Sequence, residues 1–189
     1  MEKLYDKALD LFEKKELDKA KEICQKILKE NSKDLNTLLL IGVIAFEKKK
    51  YLKSIEIFDY AIQFYPKIVD LYLNKTLALI SIEKYSDALD CCEKVIILDK
   101  SNHKTFNLIG LIFLKQNKIK DALDNFKKSI KIDSNKSETH NNLGIAYKKI
   151  KKYEESIDCF KKSINLNSNN PEAYINLGSS LRNIRELDE

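Results

Sequence analysis

Three observations predict an all-α fold of stacked antiparallel helix hairpins: a repeat period, helical spacing of the apolar residues inside each period, and scarcity of helix breakers. The 189 residues include only four Gly and two Pro, the composition of long helices joined by few special turns. Gly42, Gly110, Gly144 and Gly178 are separated by 68, 34 and 34 residues, and the missing beat falls on Thr76. A period of this size belongs to helical hairpins that cannot bury both faces alone and so stack on their neighbours.

Counted from Met1, the repeats are 1–34, 35–68, 69–102, 103–136 and 137–170, with an incomplete sixth over 171–189. No insertion or deletion breaks the register, so one repeat domain over 1–189 is expected. At position 8 the glycine, or a small residue, is expected to face the small residue of position 20, which reads Ala20, Ser54, Ala88, Ala122 and Ser156. Position 24 reads Cys24, Phe58, Cys92, Phe126 and Phe160, and Tyr51, Tyr85 and Tyr153 open second helices. Leucine, isoleucine and aromatics at positions 4, 7, 11, 24 and 27 fill the remaining space at helical spacing. In "NSNNPEAY", Asn170 is suited to cap the next helix and Pro171 to its first turn.

These columns resemble the tetratricopeptide repeat (TPR) family across essentially the whole chain, departing at Lys7-Ala8 and Lys75-Thr76, where Leu-Gly is expected. The resemblance implies a right-handed superhelical solenoid whose first helices line a concave groove through positions 2, 5, 6, 9, 12 and 13. Carried over residue by residue, the groove's N-terminal part holds Leu39, Val43, Phe46, Leu73, Asn74, Leu77 and Ile80. Its later part holds Asn107, Leu111, Leu114, Asn141, Asn142, Ile145, Lys148, Lys149, Asn176 and Arg182. The aliphatic part is expected to supply affinity, since covering one large aliphatic side chain is worth roughly 1.5–3 kcal/mol against about 0–1 kcal/mol for an exposed ion pair.

The family's carboxylate clamp for chaperone tails needs Lys and Asn where this chain has Asn107 and Leu111, and Lys and Arg where it has Glu172 and Asn176; only the clamp's other Asn, Asn142, is present, so no chaperone tail is expected. The position-6 asparagines Asn74, Asn142 and Asn176, interrupted by Leu108, resemble the groove of the O-linked N-acetylglucosamine transferase repeat domain. There such side chains form a ladder along an extended peptide backbone.

At the first repeat, Lys3 and Asp10 stand where inner repeats carry packing residues, as a terminal, capping repeat requires. The sixth repeat keeps Tyr174, Leu177, Leu181 and Ile184 apolar and reaches "ELDE", aligned with the opening of a second helix. The expectation is an array that continues, or self-association through this uncapped end.

Composition narrows the function classes. Charged residues make up 33% and apolar ones 43%, with a net charge of +5. The longest apolar run, residues 37–46, is half of the roughly 20 residues a membrane helix needs. The N-terminus carries no signal-peptide pattern, so a soluble, cytoplasmic chain is expected. Cys24, Cys91, Cys92 and Cys159 form no CxxC and lie far from both histidines, which argues against zinc and for buried free thiols. Residues 103–136 balance to +5, yet the lysines lack interleaved aromatics, which disfavours nucleic acid. There is no phosphate loop, nucleophile elbow or HExxH, and His140 takes packing position 4 rather than a catalytic setting. No cofactor or metal is expected. The reading is a non-catalytic scaffold or adaptor binding a peptide or protein segment in its groove; the alternative is the substrate-recruiting arm of a larger enzyme such as a glycosyltransferase.

Overall fold

The computed structural model describes residues 2–188, with side chains as far as Arg185. It is helical throughout and divides into two compact halves, Met1–Asp99 and Lys100–Glu189. The N-terminal half contains α1 (Glu2–Glu13), α2 (Leu17–Glu30), α3 (Leu35–Glu47), α4 (Tyr51–Phe64), α5 (Val69–Ser81) and α6 (Tyr85–Leu98). The C-terminal half contains α7 (His103–Lys115), α8 (Ile119–Ile132), α9 (Ser137–Lys149), α10 (Tyr153–Leu166) and α11 (Pro171–Asp188). First helices begin at 35, 69, 103, 137 and 171 and second helices at 17, 51, 85, 119 and 153, so the sequence period is the structural period.

Every turn inside a hairpin is built the same way. Lys15, Lys49, Glu83, Asn117 and Lys151, all at repeat position 15, have φ between 57° and 61°. The following amide reaches back to close a six-residue cap: Lys50 N–H donates to the Ala45 carbonyl at 2.9 Å and Lys118 N–H to the Phe113 carbonyl at 2.8 Å. This left-handed cap satisfies the last carbonyls of the first helix and reverses the chain in three residues. Helix starts are capped where the sequence supplies a side chain. The Asp34, Asn102 and Asn170 side chains accept from the amides of Thr37, Thr105 and Ala173 at 2.9, 3.2 and 3.3 Å.

In each half the two helices of a hairpin pack together, and second helices pack on the first helix of the next hairpin. Thr37, Ile44, Leu71 and Ala78 in one half, and Thr139 and Ala146 in the other, are buried at positions 3 and 10, whereas Lys3 and Asp10 are exposed. The polar first repeat thus carries its charge on the face that inner repeats bury.

The close approach at position 8 has a different occupant from the one expected. A Cβ on Gly42, Gly110 or Gly144 would stand 2.5, 2.6 or 2.6 Å from the ring of Phe58, Phe126 or Phe160, so it is the position-24 ring that lies on the glycine. Position 20 flanks it: the Ser54 hydroxyl donates to the Gly42 carbonyl at 2.9 Å. Where position 8 has a side chain, position 24 shrinks. Ala8 shares a core with Cys24, and Thr76 and Cys92 are both fully buried. The Lys75 departure is accommodated too, its ammonium meeting Asp59 at 2.6 Å.

One expectation is corrected. Over residues 186–188 no second helix opens, because α11 runs through to Asp188 without a turn; Glu189 lies outside the described residues. Here no second helix packs back within the described residues, and nothing draws the backbone of Arg185 into the left-handed region.

Candidate partner-binding surface

In the N-terminal half, the first-helix stripe is more covered than the sequence suggested. Leu73 and Ile80 are buried, at 6% and 8% exposure. Leu39, Val43, Phe46, Asn74 and Leu77 are half-buried. Leu39 and Val43 lean on the cluster of Leu38, Phe58, Ala61 and Leu71, and Phe46 tilts against Tyr51 with ring centres 5.4 Å apart. The physical reason is that a first helix touches its partner and the neighbouring first helix at once, so its apolar stripe is wider than one interface. The Asn74 amide bonds its own helix, donating to the Asp70 carbonyl at 2.8 Å.

The C-terminal half presents different chemistry. Leu111 and Ile145 are half-buried and Leu114 is buried. The asparagines between them are joined across neighbouring first helices. Asn142 Nδ2 donates to Asn107 Oδ1 at 3.1 Å, and Asn107 Nδ2 donates to Glu138 Oε1 at 3.1 Å. One repeat on, Asn176 Nδ2 donates to Asn141 Oδ1 at 3.3 Å, while Lys148 Nζ donates to Asn176 Oδ1 at 3.3 Å. Position 5 of one repeat therefore bonds position 6 of the next, twice in succession.

Asn107, Asn141 and Asn142 are buried, at 6, 4 and 8% exposure; Asn176 is half-buried, and Lys149 and Arg182 are exposed. Counting donors and acceptors shows what is left over. Asn107 and Asn176 each use both ends of their carboxamides. Asn141 Nδ2 and Asn142 Oδ1 do not, and neither is among the buried polar atoms cut off from solvent. Adjacent residues on α9 thus keep one donor and one acceptor reachable. The sequence reading missed Glu138, the anchor of the first pair; its place at position 2, a groove-facing column of the family, was the available signal.

The remaining chemistry is quiet. Burial pushes the Cys24 and Cys159 thiols up to about 11 and Cys92 up to about 12, and raises Cys91 as well. Thiols so held are protonated and unreactive at neutral pH. His140 is buried and bonded to the Ser134 carbonyl through Nε2 at 2.9 Å. Burial lowers the pKa of His103, against the pull of Asp133 at 3.9 Å. Among the described residues no His, Cys, Asp and Glu side chains group as a metal site, and no helix is long and apolar enough to cross a membrane.

Comparison with known proteins agrees with this geometry. Residues 137–170 match a family model described as tetratricopeptide repeat, and residues 110–151 match one described as TPR repeat. A thermophilic TPR protein of Thermus thermophilus superposes with a TM-score of 0.84 at 14% identity, covering 95% of this chain and 98% of that one. The fold is the tetratricopeptide-repeat fold. MamA from Desulfovibrio magneticus RS-1 matches at TM-score 0.71 and 18% identity, over 89% of this chain and 96% of its own. YrrB, described as a TPR protein with an unusual peptide-binding site, matches at 0.61 and 19%, over 90% and 88%. No curated protein sequence matches significantly. The TPR fold is one that commonly mediates protein–protein interaction, and the five left-handed turns and the three glycine–phenylalanine contacts above are how this chain builds it.

Proposed function

We propose that this chain is a non-catalytic interaction scaffold, an adaptor whose first helices hold an extended peptide segment of a partner protein. The observation that carries the reading is the reachable pair on α9, Asn141 Nδ2 and Asn142 Oδ1, each fixed by a bond from the other end of its carboxamide. A peptide group offers the complement, a carbonyl for the amide and an N–H for the oxygen, whatever its side chain. Because both carboxamides are already held, binding costs little further side-chain entropy. The half-buried Leu111 and Ile145 supply apolar contact beside them, and the exposed Lys149 and Arg182 favour a segment with acidic residues. The position-6 Asn176, bonded to Asn141, extends the same pattern one repeat on, in the manner of the glycosyltransferase repeat groove noted above.

The test is selection of peptides from a display library on the intact chain, followed by affinity measurement with Asn142→Ala and Asn141→Ala. Each should weaken the selected peptide by about tenfold, the loss of roughly one hydrogen bond, with unchanged helical circular dichroism. Affinity indifferent to both substitutions but lost on changing second-helix surface residues would put the binding surface elsewhere.

A further inference from the structure

Between α2 and α4, over α3, the N-terminal half keeps a cleft of about 190 Å³. Ile41, Ile44 and Ala45 floor it, Ile57 lines the α4 side, and Lys21, Lys48, Lys50 and Lys53 line the rest. The space exists because of one small residue. Position 11 reads Leu11, Leu79, Phe113, Tyr147 and Leu181 in the other repeats, and Ala45 in the second. Over α5 the equivalent place holds the buried Leu79, and Lys75 from position 7 reaches Asp59 at position 25. Over α9 it holds the ring of Tyr147, with the ammonium of Lys127, also at position 25, 5.7 Å from the ring centre. The second repeat has the cations without the ring. Charge is left over as well. Lys48 pairs with Asp18, and Lys53 with Glu56 at 2.8 Å, whereas among the described residues Lys21 and Lys50 make no ion pair. Asp18 is one carboxylate among three cations: Lys48 first, then Lys21 and Lys50, hold it below the usual carboxylate range.

We propose that this cleft binds a compact organic anion, with a benzene-sized ring seated on Ala45 and a carboxylate or phosphate held by Lys21 and Lys50. The size follows from the volume. An apolar cavity of roughly 150 Å³ takes up benzene, and about 190 Å³ leaves room for a short link to the charged group. The ring would stand where Tyr147 supplies one from within the chain in the fifth repeat. An apolar floor with a few charged groups beside it is the usual make-up of a small-molecule site, and two uncompensated ammonium groups select for negative charge. The apolar contact is confined to the floor, since the remaining lining is almost all lysine. That suits one ring better than a length of polypeptide, whose docking surface carries a broader apolar centre. All three walls, α2, α3 and α4, belong to the N-terminal half, so the site is complete within it.

The test is methyl NMR of the intact chain titrated with phenyl phosphate, phenylacetate, the neutral 2-phenylethanol and inorganic phosphate. The two ring-bearing anions should shift the methyl signals of Ala45, Ile41 and Ile44 saturably, with Kd below about 5 mM, as suits ligands of so few atoms. They should bind at least about fivefold more tightly than 2-phenylethanol, and inorganic phosphate should leave these methyls in place. Ala45→Leu fills the cleft as Leu79 does in the third repeat and should abolish the shifts with unchanged helical circular dichroism. Lys21→Gln with Lys50→Gln, on the surface and outside the core, should weaken the anions about fivefold and leave 2-phenylethanol unaffected. No saturation by about 5 mM overturns the proposal. So do shifts that survive Ala45→Leu, equal affinity for 2-phenylethanol and the anions, or inorganic phosphate moving the same methyls. A display-selected peptide that saturates these methyls at lower concentration than any of the small anions would assign the cleft to a partner protein and overturn it as well.

Discussion

The ring of Phe58 lies directly on the backbone of Gly42, 2.5 Å from where a Cβ would stand. The contact is stiff on both sides, because the ring is fully buried and the glycine is in the middle of α3. Gly42→Ala should therefore cost about 1–3 kcal/mol by overpacking, against the gain in helix propensity of up to about 1 kcal/mol. Gly178→Ala, with open space around it, should instead stabilise. In a Phe58→Cys background, which copies the Ala8 and Cys24 arrangement of the first repeat, the cost of Gly42→Ala should largely vanish. Urea denaturation of the four proteins of this cycle measures the coupling, and additive effects would show that the two columns do not compensate.

The five left-handed turns are occupied by residues with a Cβ, at a cost of the order of 1 kcal/mol each relative to glycine. Lys49→Gly, Glu83→Gly and Lys151→Gly should each raise stability by about 0.5–1 kcal/mol. Asn117→Gly should gain less, since asparagine tolerates this conformation. Thermal unfolding of the single and triple variants checks this, and Lys49→Val should move the melting temperature the other way.

These turns also show the limit of what the sequence made legible. Helix starts and the hairpin order follow from the 34-residue period, because a periodic core forces periodic elements. The position-15 column, Lys, Lys, Glu, Asn, Lys, contains no glycine to announce its backbone. The glycine at position 8 was read correctly as a close approach, but its occupant was taken as position 20; only coordinates show that the ring of position 24 swings over it. In the candidate site, the groove positions are legible as columns. Their burial is not, because it depends on neighbouring repeats, and so Leu73 reads as a ligand contact although it is covered. Replacing it with Ser would test the core rather than the surface.

Buried thiols tie stability to alkaline pH. The folded chain holds the protons of Cys24 and Cys92 up to about 11 and about 12, above the ordinary value of 9.0. A raised folded-state value means that the contribution is complete below pH 9 and is lost as pH climbs through the folded values, since the unfolded chain ionises first. Between roughly pH 9 and 11 each of the two should remove about 1.4 kcal/mol per pH unit. Cys24→Ala should flatten that slope in denaturant titrations across this range, and an unchanged slope would assign the alkaline loss to other groups.

The asparagine pairs separate a binding role from a packing role. Asn107→Leu alone strands the buried Asn142 amide, while the exposed Glu138 carboxylate can turn to water, and should cost about 1–3 kcal/mol. Asn107→Leu with Asn142→Leu substitutes apolar groups for both members of the buried bond and should recover most of that loss. If the pair existed only to join two helices, the double variant would keep its ligand. With Asn142 Oδ1 serving as a peptide acceptor, the double variant should instead be as stable as the parent and about tenfold weaker for any peptide selected on the parent chain, a divergence between stability and affinity that calorimetry of the two proteins would resolve.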